Sequence, residues 1–159
     1  MIPISPIFTK SKEILIELSV LLDEERQALG KQDNHLILSL AEKKQALLDE
    51  MNTLNDKRIN LLIKFDVLDR KDPTEQDFKD WLKDQDSSLD EVRLLMKECE
   101  ELLKVCKTKN NTNAQILSTL QKRNKQLFEL MQGHNNKNKV YTSRGSTRPI
   151  SSKQTLGRA

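Results

Sequence analysis

The sequence predicts an all-α protein: an antiparallel hairpin or coiled coil of two long helices, a short connecting helix, and a disordered C-terminal tail. Three observations lead there. Apolar residues recur at steps of three, four and seven over most of the chain, the spacing that lines one face of a helix. Only four glycines and four prolines occur in 159 residues. The charged fraction is 32% against 36% hydrophobic, a balance that suits long exposed helices better than a compact sphere.

The first helix is expected from Ser5-Pro6, with serine as cap and proline at the first helical position. Its stripe runs through Leu15, Leu18, Leu22, Leu29, Leu36, Leu40, Leu47, Met51, Leu54, Leu61, Phe65 and Leu68. Glu25, Gln32, Lys43 and Arg58 interrupt the seam with polar groups. Gln32, Leu36 and Leu40 follow in steps of four, a stutter that shifts the heptad by one residue. Gly30 and Asp33-Asn34 lie beside it. The preferred reading is one helix of roughly 85 Å ending near residues 66–70, and the alternative is a hairpin at residues 30–34.

Asp72-Pro73-Thr74-Glu75 reads as a start signal, with an Asp cap, proline at the first position and Glu75 reaching back. The short helix it opens carries Phe78, Trp81 and Leu82 on one side, and with Phe65 these aromatics are expected to plug the end where the chain turns. Ser88-Leu89-Asp90-Glu91 repeats the capping pattern and opens the last helix, expected to run to about Gln132. Its stripe takes in Leu89, Val92, Met96, Cys99, Leu103 and Cys106, then Leu117, Leu120, Leu127 and Met131. Asn110, Asn113 and Asn124 fall on the same stripe, and Gly133 is the expected stop. The domain organisation read this way is a helical domain over residues 1–132 and a flexible basic tail over 133–159.

Charge is uneven along the chain. Residues 133–159 hold six basic side chains and no acidic one, while residues 69–91 hold nine acidic against four basic. The tail is too polar to offset the entropy of ordering it. Phosphate contacts by the tail would be strongly salt-dependent, but one tyrosine and an acidic body argue against nucleic acid, because no stacking surface is available. No stretch is long and apolar enough for a membrane span and no secretory leader is evident, so a cytoplasmic location is expected.

Catalytic, cofactor and metal sites are not expected. Four scattered glycines do not form a phosphate loop, and no HExxH or CxxC pattern occurs. Cys99 and Cys106 lie about 10 Å apart along one helix, too far for a disulfide, and read as small buried apolar residues. A nucleophile–base constellation needs a third group to orient the base, and His35 flanks the seam of the first helix while His134 sits at the start of the tail.

Several stretches together resemble the FlgN family of flagellar type III export chaperones. In the first helix they are Glu24-Glu25-Arg26-Gln27-Ala28-Leu29, Lys43-Lys44-Gln45-Ala46-Leu47-Leu48 and Arg58-Ile59-Asn60-Leu61-Leu62. In the last they are Asn110-Asn111-Thr112-Asn113-Ala114-Gln115-Ile116-Leu117 and Gln121-Lys122-Arg123-Asn124, followed in the tail by Tyr141-Thr142-Ser143-Arg144-Gly145. The resemblance implies a non-enzymatic chaperone that binds the helical C-terminal ends of hook–filament junction proteins and stops premature assembly. It would deliver them to the flagellar export-gate membrane receptor and export ATPase complex, transiently at the membrane. It implies cargo contacts through Leu117, Leu120, Leu127, Leu130 and Met131, with Ile116 at the edge and Arg123 among them, and export-gate docking through Tyr141. A generic coiled-coil adaptor or linker is the competing reading, with a nucleic-acid-binding protein behind it. Whether the chain pairs with a second copy is left open.

Overall fold

The computed structural model describes residues 2–137, 140–141 and 147–148, with side chains as far as Gly133. The elements are α1 (Ser5–Lys31), α2 (Asn34–Lys64), α3 (Glu75–Lys83), a 3-10 turn at Ser87–Leu89, α4 (Asp90–Lys137), and two short strands, β1 (Val140–Tyr141) and β2 (Thr147–Arg148). The strands pair antiparallel, Val140 with Arg148 and Tyr141 with Thr147. The all-α class expected from the apolar periodicity holds. The chain divides into two compact units, Met1–Ala114 and Gln115–Ala159.

The single long first helix is corrected to a helical hairpin, the alternative at residues 30–34. Gln32 takes the left-handed conformation (φ 52°) and closes α1 through its backbone N–H to Ala28 and Leu29. Asp33 then caps α2, its carboxylate accepting from the Leu36 N–H at 3.1 Å. Gly30 itself stays inside α1, so the turn is made by a left-handed glutamine and an aspartate cap rather than by the glycine. The two helices run antiparallel, tied by Lys44 to Glu25 at 2.7 Å and Lys10 to Glu50 at 3.8 Å. Burying the stripe within the chain is what decides between the two readings: a continuous helix would leave Leu40 and Leu47 without α1 as their partner.

Four other boundaries differ from the sequence reading. Ile4, not Ser5, flanks α1, without a side-chain cap, and Ile4 is 1% exposed. Thr74 rather than Asp72 caps α3, its hydroxyl accepting from the Asp77 N–H at 3.1 Å. The 3-10 turn precedes α4 and is capped by Asp86, whose carboxylate accepts from the Ser88 N–H at 3.0 Å. At its far end α4 continues through Gly133 to Lys137. The flexible-tail expectation falls largely on residues outside those described.

In the first unit, α4 lies alongside α1 and runs parallel to it. The Cys99 thiol donates to the Phe8 carbonyl, Cys106 to Leu15 and the Asn113 amide to Leu22, each pair 91 residues apart. These contacts recur every seven residues on both helices, the repeat of a left-handed coiled coil. Short side chains at these positions bring α4 near enough to reach α1 backbone. Lys12 with Glu98 and Lys109 with Asp23, both at 2.7 Å, flank the ladder.

Two apolar clusters result. One centres on Ile14, Leu18, Leu22, Leu40, Leu47 and Cys106 between α1, α2 and α4. The other joins Ile4, Phe8, Leu62, Phe78, Leu82 and Val92 at the end where α3 crosses. Phe78 is 1% exposed and stacks on Phe8 and Trp81 with ring centroids 6.0 Å away in each case. Trp81 and Phe78 thus close this end as expected, whereas Phe65 is exposed beyond the α2 terminus. Arg93 holds α3 to α4, its guanidinium donating to the carbonyls of Leu82 and Gln85 at 2.6 Å. The Leu82 carbonyl belongs to the last turn of α3, where intrahelical donors run out, and Gln85 lies just past the helix.

Candidate functional site

The polar residues of the seam split by role. Glu25 is buried and its carboxylate forms a hub: one oxygen accepts from Lys44 at 2.7 Å, the other from the Asn113 amide at 3.0 Å. Asn113 is 3% exposed and also reaches the Leu22 carbonyl. Lys44, not Lys43, is the lysine that turns inward. Arg58 sits over the Phe8 ring at 5.7 Å and pairs with Glu75. Among the described residues no buried side-chain nitrogen or oxygen lacks a partner. Polar groups within a helical seam fix register at a cost in stability, and here they lock α4 to α1 in one heptad alignment.

A cleft of about 380 Å³ opens between α1, α2 and α4, lined by Phe8, Leu15, Met51, Met96 and Cys99, with Arg58 at its edge. It exists because α2 folds back beside α1, so the single-helix reading had no place for it. Burial pushes the Cys99 and Cys106 thiols above their ordinary ionisation range. Both remain neutral small fillers, consistent with their seam positions. Among the described residues no cluster of His, Cys, Asp and Glu is placed to hold a metal ion.

Along α4 the seven-residue series that starts in the first unit changes character in the second. At seven-residue steps Cys106 and Asn113 are each 3% exposed, Leu120 is half-buried and Leu127 is 59% exposed. In the second unit Ile116 is half-buried, and Leu117, Leu127, Leu130 and Met131 are exposed, the last two at 70% and 66%. Arg123 is exposed among them. The residues expected to take cargo therefore lie on one helix segment, with Leu117, Leu127, Leu130 and Met131 open and Ile116 and Leu120 partly covered. Phe128 belongs with them at 59% exposure and was missing from the predicted set. The signal for it was present: one residue after Leu127 and three before Met131, it widens the stripe on its other edge. Tyr141 lies on β1, and its side chain falls outside those described.

An apolar helix face left open, on a chain whose buried polar groups serve packing, defines a helical binding protein. The chain belongs to the FlgN family: the family model described as FlgN protein matches residues 4–149. Membership makes it a flagellar export chaperone in general terms and, as expected from the quoted motifs, covers almost the whole chain. Comparison with curated proteins and with solved structures returns no match.

Proposed function

We propose that the chain binds the helical C-terminal ends of hook–filament junction subunits, keeps them from assembling in the cytoplasm, and hands them to the flagellar export gate. The observation that supports this reading is the open apolar segment of α4, where Leu127, Phe128, Leu130 and Met131 are 59% to 70% exposed. Exposed apolar surface gathered on one helix favours a partner that covers it, and an amphipathic helix presents the matching stripe. Cargo covered there has its own apolar face occupied and is unable to pair with neighbouring subunits. Tyr141 is assigned to docking on the export-gate receptor, where the export ATPase complex would receive the loaded chaperone. The encounter with the membrane would be transient, and no described helix is long and apolar enough to cross it.

A pull-down of hook–filament junction proteins from a lysate of flagellated cells tests the cargo surface. Full-length bait should capture them, and bait carrying Leu120→Asp and Leu127→Asp should not, while both remain equally helical by circular dichroism. Equal capture by the two baits removes the surface, and capture by neither removes the cargo. Tyr141→Ala should leave cargo capture intact and abolish co-sedimentation of the loaded chaperone with membranes bearing the export gate.

A further inference from the structure

The exposed segment of α4 is not uniformly apolar, and the exception falls inside the stripe. Ile116, Leu120, Arg123, Leu127 and Leu130 follow at steps of four, three, four and three, the repeat of a helix–helix seam. Arg123 therefore lies on one flank of the stripe, next to Ile116 and Leu130, while Asn124 takes the position between Leu120 and Leu127 on the other flank. Among the described residues Arg123, like Arg26 and Arg70, forms no ion pair or hydrogen bond, whereas Arg58 and Arg93 each hold a carboxylate. A helix laid on this face would take Arg123 out of water, and a buried charge left unpaired is costly.

We propose that Arg123 selects the partner: the face accepts an amphipathic helix that carries one aspartate or glutamate within its own apolar stripe. The carboxylate would meet Arg123 in a bidentate pair, the geometry to which a guanidinium is suited. A purely apolar helix would be rejected because it strands the guanidinium, which makes Arg123 a specificity residue. A second copy of this chain is disfavoured by charge. Residues 115–133 hold Lys122, Arg123 and Lys125 against the single acidic Glu129, so two such segments repel. This inference rests on the proposed cargo surface and names the chemistry it reads.

The test uses the full chain and the C-terminal helical fragments of hook–filament junction subunits, with binding read by fluorescence anisotropy. Arg123→Met keeps the length and apolar stem and should weaken binding about tenfold or more, the scale at which a desolvated charge pair is broken. Acidic-to-glutamine changes across the fragment should reveal one position whose effect disappears in the Arg123→Met background. Binding by Arg123→Met as tight as by the parent chain overturns the proposal. If Leu127→Asp still abolishes that binding, the cargo surface stands and only the role of Arg123 fails. If Leu127→Asp is also without effect, both readings fail. A free chain that is dimeric and that Leu127→Asp makes monomeric would assign the face to a second copy, which also overturns the proposal.

Discussion

Asn113→Ala tests whether the buried polar hub holds α4 in register on α1. The amide of Asn113 donates to the Leu22 carbonyl at 2.9 Å and to Glu25 Oε1 at 3.0 Å. A hydrogen bond to a charged group contributes about 1.5–3 kcal/mol and a neutral one about 1 kcal/mol. Removing the amide also leaves one oxygen of a carboxylate that is 7% exposed without its donor. Lys44 still neutralises the other oxygen and is 25% exposed along its side chain, so water reaches the hub from that side. The lower part of the range therefore applies, a loss of about 2–3 kcal/mol. At about 2–4 °C per kcal/mol for a chain of this size, the melting temperature should fall by roughly 4–12 °C. Urea unfolding followed by far-UV circular dichroism measures it, with the slope against urea unchanged if the transition stays cooperative. Replacing the whole hub, Glu25→Leu with Lys44→Met and Asn113→Leu, removes every polar partner together. That triple variant should be as stable as the parent or more so. A single Asn113→Ala variant within about 0.5 kcal/mol of the parent, the size of an ordinary surface change, would refute the hub as a tie between the helices.

The turn between α1 and α2 makes a prediction of opposite sign for the two readings of this region. Gln32→Gly relieves a left-handed residue and should stabilise the chain by about 1 kcal/mol, whereas in one continuous helix it would destabilise by a similar amount. Thermal denaturation reads the sign. Phe78→Ala empties the stack between Phe8 and Trp81 and should cost about 3–5 kcal/mol, visible in chemical denaturation together with the loss of the native Trp81 fluorescence. The thiols predict a pH effect. Both folded-state values lie above those of a free thiol, so their contribution is complete below about pH 8.5 and declines as the pH rises past it. The unfolding midpoint should fall less between pH 8 and pH 10 in a Cys99→Ala/Cys106→Ala variant than in the parent. An identical slope in the two would remove the thiols as its cause.

Local signals carried much of the architecture. The step pattern marked which residues of α1, α2 and α4 are apolar-faced, since a helix repeats its faces whatever it packs against. Asp33 at the turn and Asp86, Thr74 and Asp77 around α3 are short-range chemistry, legible within a turn or so even where the capping residue was misplaced by two positions.

Long-range partners were not readable in the same way. Leu15 and Leu47 look alike in a heptad whether the chain runs on or folds back, because a stutter and a turn differ only in the backbone of Gln32 and Asp33. Glu25 read as a flaw in the seam, and only the approach of Lys44 and Asn113 from two other helices makes it a hub. The 91-residue register of Cys99, Cys106 and Asn113 on α1 carbonyls follows the same rule. Periodicity by itself determined that this protein is helical and which faces are apolar, because those properties depend on neighbours within a turn. Tertiary structure decided the hairpin, the parallel packing of α4 on α1 and the pairing of buried charges, because each depends on which distant segment arrives to satisfy a group.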